Sequence, residues 1–398
     1  MKTVQCQTSD VPPLTWAEID LDALAHNYRE LRRVTAPSAA MMAVVKADGY
    51  GHGALQVAKI ALENGAGLLA VARMDEALRL RETCISAPIL LFGHSLPAYV
   101  NMLAANDIRA ALNSLEGAHN LSAEAVRRKT TLKAHIKIDT GMGRLGLLAD
   151  EIAVQTVTGK PFKRTVDDIL AITALPGIEV EGIFTHFANS DSRNKDHART
   201  QLARFTHLLE TLKRHSLVFK YRHAANSAAI IELPESHLDL VRPGIAQYGL
   251  WPSNEVDKQK IDLRPVMSIK SRVIHVRETG AGFAVSYGST YVTPRPTRIA
   301  TIPIGYADGF DRILSSNGYM LVQGTRAPII GRVCMDLTMI DVGHVPDVAL
   351  EDEVVILGSQ GDETISADEI AKRVGTINYE IVSSLTSRVP KVYVGTEL

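Results

Sequence analysis

The stretch MMAVVKADGYGHGALQVAKIALENG, residues 41–65, carries the reading that decides the fold. It opens as an apolar, strand-like run that ends in Lys46. A loop with Gly49, Gly51 and Gly53 follows, and then apolar residues recur at helical spacing. That is one strand–loop–helix unit. Outward from it the pattern repeats: GLLAVAR (67–73), PILLFG (88–93), IRAALN (108–113), KAHIKIDT (133–140), IEVEGIFTHFA (178–188), KYRHAANS (220–227) and LDLVRPGIAQYG (238–249). Helical patterns such as ARFTHLLETLKRH (203–215) lie between them. The strands are apolar on both faces, as parallel strands covered by helices must be. Eight units over this length predict a TIM (β/α)8 barrel, with a doubly wound sheet as the alternative.

Near residue 260 the texture changes to short strands punctuated by turn signals such as ETGAG, SNGYM and VQGTRAP. The spacing of Ser366 and Glu369 in ISADEIAKRV predicts a capping box and one late helix. The expected fold class is α/β: a barrel over 12–255, then a mostly β domain over 263–398, with residues 1–11 a candidate to join the latter. Lys and Arg number 43 against 44 Asp and Glu, aromatic residues make up 5%, and no basic block stands out, so no nucleic-acid partner is expected. MKTVQCQTSDVPP lacks the apolar core of a signal peptide, and no apolar run is long enough to span a membrane. Cys6, Cys84 and Cys334 lack disulfide or zinc-ligand spacing. The expectation is a cytoplasmic protein with reduced thiols, no membrane partner and no metal.

In a barrel, function belongs at the C-terminal ends of the strands. Those ends carry Lys46, Lys137 with Asp139, His186, Asn226 with Ser227, and Arg242 with Gly244. Lys46 is either a strand-end lysine with its head in water or a desolvated amine suited to imine chemistry. The second reading implies pyridoxal 5'-phosphate, which needs a phosphate site and a partner for its ring nitrogen. Ser227, the amides near a helix start and the Gly244 turn could cradle the phosphate, and Arg242 could face the ring. GMGRLG (141–146) also matches G-x-G-x-x-G, but four strand units precede it and Arg144 sits inside it, so a dinucleotide site is disfavoured. AVSYGSTY (284–291), IGYADGF (304–310), GRVCMDLTMIDVG around Met335 and NYEIV around Tyr379 read individually as packing at turns.

Together these segments form an ordered set. VVKADGYGHG, KIDTGMGRLG, THFANSD, NSAA, RPGIAQYGL, SYGSTY, GYADG, GRVCMD and NYE succeed one another along nearly the whole chain. In this the chain resembles the alanine racemases, pyridoxal-phosphate enzymes with a barrel and a β-rich domain. The resemblance implies an isomerase that interconverts L- and D-alanine with two bases. Lys46 would bind the cofactor and act on one face of the substrate. Tyr287 would act on the other face, from the second subunit of a homodimer with shared sites. Tyr50, Asn226, Ser227, Gly244, Ile245 and Tyr379 would hold the cofactor. Arg144 and the Met335 backbone would bind the substrate carboxylate, and Tyr306 would crowd the side-chain pocket. His186 and Arg242 would link Tyr287 to the ring nitrogen, and Lys137 stands where many members carry a carbamylated lysine. Two departures are a longer segment at 147–173 and Gln247 in place of a methionine. The alternatives are a serine-preferring or broader racemase, a related decarboxylase or D-amino-acid aldolase, and a non-enzymatic cofactor carrier.

Overall fold

The computed structural model describes residues 12–149 and 165–395, which divide into two units. One runs Asp22–Arg264; the other takes the chain from Pro265 together with the strand Thr15–Asp20.

In the first unit, the apolar runs become eight barrel strands. In order they are Ala40–Val44, Leu68–Val71, Ile89–Leu91, Ile108–Leu112, Leu132–Asp139, Ile178–Phe184, Tyr221–His223 and Leu240–Val241. Each of the first six pairs in parallel with the next, and the eighth pairs in parallel with the first. The seam between seventh and eighth is bridged by Asp239 N–H to the Arg222 carbonyl (3.1 Å) and Arg242 N–H to the Ala225 carbonyl (3.0 Å). A nearly closed eight-strand barrel results, which excludes the doubly wound alternative.

The closure follows from burial on both strand faces. Met42, Val44, Leu68, Ala70, Leu90 and Leu240 form one buried cluster inside it. On the other faces the strands meet helices such as Ala54–Glu63, which buries Val57, Ala58, Ile60 and Ala61. Each large aliphatic side chain so buried contributes about 1.5–3 kcal/mol. Of the longer segment 147–173, residues 150–164 lie outside the described residues. Leu147–Leu148 pairs with Ile138–Asp139, and Thr165–Thr173 is helical.

The second unit is mostly β. Its main sheet orders Thr325–Pro328, Tyr319–Val322, Glu353–Gln360, Met267–Arg272, Thr15–Asp20 and Lys391–Val394, with Glu363–Ile365 paired to Glu353–Gln360. A three-stranded sheet (His275–Thr279, Thr297–Ile302, Thr338–Asp341) and a hairpin (Ala284–Val285, Tyr291–Val292) complete it. The strand Thr15–Asp20 corrects the domain boundary expected at residue 12. It pairs antiparallel with Met267–Arg272 and parallel with Lys391–Val394, so it belongs to the β unit. Residues 1–11, the candidate companions of this unit, lie outside the described residues. The late helix Ala367–Val374 forms where expected, with Ser366 Oγ accepting from Glu369 N–H at 3.1 Å. Only half of the capping box closes, because the Glu369 carboxylate is engaged by Arg326 and Arg373 instead.

Candidate active site

Lys46 follows the first barrel strand after one residue, Val45, and is half-buried. The next four residues form a left-handed turn: Ala47, Asp48, Gly49 and Tyr50 have φ of 52°, 51°, 63° and 52°. For the three that are not glycine, this conformation costs about 1–2 kcal/mol each. Such a turn persists only where its surroundings over-determine it. Here Asp48 Oδ1 accepts from Ala54 N–H (3.0 Å), and Glu76 Oε1 accepts from Ala47 N–H (2.6 Å). Burial lowers the Lys46 pKa, Arg144 lowers it further, and Glu76 opposes both. The Lys46 ammonium lies 5.7 Å from the Tyr50 ring centroid.

Tyr50 turns back over the barrel. Its ring lies tilted against Tyr248, centroids 5.0 Å apart, and burial pushes its hydroxyl up to about 12. That hydroxyl converges with Ser227 and Gly244. A Cβ at Gly244 would stand 3.1 Å from Tyr50 Oη and 3.8 Å from Ser227 Oγ, so glycine keeps a small polar cradle open. Ser227 Oγ accepts from the Gly244 and Ala246 amides at 2.9 and 3.2 Å. Asn226 caps the short helix Ser227–Glu232 through Ala229 N–H and also accepts from Ser190 Oγ. The Ser227 and Ala228 amides have no partner within that helix. Ile245 begins the next helical turn beside Gly244.

Deeper in the barrel lies a buried cationic and imidazole cluster. Arg242 donates from Nη2 to the Thr185 and Ala224 carbonyls (2.8 and 2.9 Å) and to His186 Nδ1 (3.2 Å), and from Nη1 to His223 Nδ1 (2.9 Å). An arginine only donates, so both Nδ1 atoms accept and the imidazole protons sit on Nε2. His223 Nε2 then donates to His135 Nδ1 at 2.9 Å. Burial, reinforced by Arg242, holds His186 and His223 well below ordinary histidine values. Gly182 makes room for this chain, since a Cβ there would fall 2.6 Å from His135 Nδ1. Lys137, on the fifth strand, is brought down to about 8 by burial and by the Arg144 and Arg242 cations.

The loop 141–146 explains the false dinucleotide signature. Asp139 Oδ1 accepts from the amides of Gly141 (2.8 Å), Met142 (2.8 Å) and Gly143 (3.2 Å), and Oδ2 from Arg144 N–H (3.0 Å). Burial alone would raise this carboxyl, but those four donors hold it below its usual value. The loop's amides therefore wrap the protein's own carboxylate, and the loop holds out the exposed Arg144 side chain.

Within the β unit, the remaining candidates share one group of loops. Tyr287 opens a helical turn inside the hairpin, and the preceding Ser286 Oγ donates to the Arg332 carbonyl at 2.7 Å. Tyr306 N–H and Ala307 N–H donate to the Cys334 and Met335 carbonyls at 3.1 and 3.0 Å. Arg388 spans Asp308 (3.3 Å) and Asp336 (2.7 Å), tying these loops to the segment after Asn378–Ser383, the helix that carries Tyr379. Tyr287 is 72% exposed, Met335 52% and Tyr306 44%.

Profile and structure comparisons agree with this layout. The description "Alanine racemase, N-terminal domain" matches residues 19–252, and "Alanine racemase, C-terminal domain" matches 266–393. The chain belongs to the alanine racemase family. The alanine racemase of Desulfosudis oleivorans is 52% identical over 95% of this chain and 96% of its own. That of Methanococcus maripaludis is 46% identical over 95% and 98%. Among solved structures, the Bacillus anthracis alanine racemase with bound L-Ala-P superposes with a TM-score of 0.88 at 38% identity, covering 97% of this chain and 96% of that one. The alanine racemase of Clostridium difficile 630 gives 0.89 at 35%, covering 97% of each.

Against this alanine racemase fold, the barrel candidates Lys46, Tyr50, Lys137, His186, Ser227, Arg242 and Gly244 lie at strand ends or in the loops after them. Arg144 acts on several of them at once, since its charge bears on Lys46, Tyr50, Lys137, His186 and Arg242. Sequence reasoning gave no role to Glu76, His135 or His223, whose partners lie on other strands. Gln247, noted only as a departure, is fully buried. It donates to the Val44 carbonyl (2.6 Å) and accepts from Tyr28, bracing the strand end before Lys46. Among the described residues, no metal-ligating cluster occurs and no helix is long and apolar enough to cross a membrane.

Proposed function

We infer that this protein interconverts L- and D-alanine, and we propose that it does so with pyridoxal 5'-phosphate held through Lys46. Family membership carries the reaction. One observation carries the cofactor: an amine with a lowered pKa stands on a clamped turn whose Tyr50 also lines an open polar cradle. The residues fit the group. Tyr50, Ser227, Gly244, Ile245 and Tyr379 would take the phosphate, with Asn226 fixing the helix start, and Arg242 would donate to the ring nitrogen. When bound, the cofactor supplies an electron sink that makes the substrate Cα–H acidic enough to remove.

The chain's own groups do the rest. Racemisation needs a proton acceptor on one face of Cα and a donor on the other. Lys46 would serve one face, and Tyr287 from a second copy of the chain the other. Burial and Arg144 both favour the neutral amine of Lys46, the form that can accept a proton. Arg144 would bind the substrate carboxylate with the Met335 backbone, and Tyr306 would limit the side-chain pocket to a methyl group. His186, already hydrogen-bonded to Arg242, would join Tyr287 to that network. Exposure of Tyr287, Tyr306 and Met335 on one loop group supports completion of the site by a homodimer. With Lys137 at about 8, part of its amine is neutral near physiological pH and open to carbamylation, which would place an anion among Lys46, Arg144 and Arg242.

The test is polarimetry of L-alanine and of L-serine with purified protein and pyridoxal phosphate. Loss of optical rotation with L-alanine is expected. No loss with either substrate contradicts the reading, and faster loss with L-serine replaces alanine by serine.

A further inference from the structure

Glu76 does more than cap its own helix. It is the third residue of the helix Met74–Glu82, and its Oε2 accepts from Ala72 N–H (2.8 Å) and Arg73 N–H (3.0 Å), which is ordinary capping. The other oxygen leaves the helix. Oε1 accepts from Ala47 N–H at 2.6 Å, 29 residues away along the chain. Ala47 is the residue directly after Lys46 and the first of the left-handed turn. On the other side of the lysine, Val45 N–H donates to the Ala70 carbonyl at 2.9 Å. The Lys46 backbone is thus bracketed by two hydrogen bonds, and both partners belong to the segment from the second barrel strand to the start of its helix.

We propose that Glu76 is a positioning residue for Lys46: its carboxylate joins the loops after the first two barrel strands and so holds the left-handed turn that aims the lysine. The inference rests on the reading of Lys46 as the cofactor-bearing residue. A helix cap needs one carboxylate oxygen, and the second is committed to a peptide group whose orientation sets the ψ angle of Lys46. Glu76 is also an anion whose charge bears on Lys46 and favours its protonated form. Arg144 opposes it, Lys137 and His186 respond to the Lys46 charge, and the Tyr50 ring covers one side.

The experiment compares full-length wild type with Glu76→Gln, Glu76→Asp and Glu76→Ala, each loaded with pyridoxal phosphate. The readouts are the cofactor dissociation constant, the pH midpoint of the bound cofactor's visible band, and Tm. Glutamine keeps one accepting oxygen, so it can serve the cap or Ala47 but not both. Aspartate keeps the charge on a side chain one methylene shorter. Glu76→Ala should weaken cofactor binding about tenfold or more, with Glu76→Gln between it and wild type. Both should move the midpoint down by about half a pH unit, because the anion that favours protonation at the Lys46 nitrogen is gone. Glu76→Asp should weaken binding while moving the midpoint less than Glu76→Gln. Variants that lose Tm but keep wild-type affinity and midpoint reduce Glu76 to a helix cap and overturn the proposal. A wild type that binds no cofactor contradicts the reading of the site and this role with it; a wild type that binds it and variants that bind it equally well contradict the role alone.

Discussion

The two halves of the candidate site are built in opposite ways. In the barrel, Lys137 and Arg242 are buried and His186 is half-buried, their charges and tautomers set by fixed neighbours, and Lys46 is held by hydrogen bonds on both sides. In the β unit, Tyr287, Tyr306 and Met335 stand exposed on loops that are braced from behind. A proton-transfer group works best where water is excluded, so the exposed Tyr287 would need covering to serve as the base proposed above. On the proposed reading, the barrel half is held by contacts within one chain, whereas the exposed β half would need a second copy to cover it.

Variants can break that contrast. The largest effect is expected for Lys46→Ala, which removes both the cofactor attachment and one base. Borohydride-trappable cofactor should vanish, and activity should fall by at least ~10⁴-fold. Tyr287→Phe should lower kcat by about 10²–10⁴-fold yet leave Tm and cofactor content unchanged, since an exposed ring supports neither. Were cofactor content to fall as well, the two halves would not be separable in this way.

Smaller changes sharpen the comparison. Asp139→Asn replaces an acceptor of four amides with one that offers a single accepting oxygen, so the Arg144 loop should loosen. KM for alanine should rise about tenfold with a smaller change in kcat. Gly244→Ala fills the cradle between Tyr50 and Ser227, and cofactor affinity should fall by about tenfold while kcat at saturating cofactor is kept. The smallest effect concerns acid stability. His135 is held from its ordinary 6.5 down to about 3 by burial, with Arg109 and Arg242 adding to it. The unfolded chain therefore binds the proton first, and stability is lost as pH falls below 6.5. Tm measured against pH should decline through that window, with a shallower slope in His135→Leu. A parallel slope would place the acid sensitivity elsewhere.

The barrel was legible because each strand is a local run buried on both faces. The strand Thr15–Asp20 was not, because one partner lies some 250 residues away and the other some 370, and its burial depends on a sheet that the rest of the β unit builds. The strand-end residues Lys46, Lys137, His186 and Arg242 could be named from position alone. What positions them could not. Glu76, His135 and His223 drew no role from the sequence, and Asp139 stood only as a polar residue at a strand end. The partners of Glu76, His135 and His223 come from neighbouring strands or the turns after them, and only the closed barrel brings those within hydrogen-bond reach, whereas Asp139 takes the next amides along its own loop. The GMGRLG loop shows the converse: its pattern suggested a phosphate site, while Asp139, two residues before it, already occupied the amides.

The most direct test of the shared site is complementation between two inactive variants. Lys46→Ala and Tyr287→Phe are purified separately, mixed, and allowed to exchange subunits. If Tyr287 serves the site of the other copy, each mixed dimer regains one intact Lys46–Tyr287 pair. Random mixing makes half of the dimers mixed, each with one of its two sites active, so about a quarter of wild-type activity should return. If activity stays at the level of the separate variants while subunit exchange is demonstrated, Lys46 and Tyr287 act within one chain, and the contrast between a barrel half held within one chain and a β half covered by a second copy is wrong.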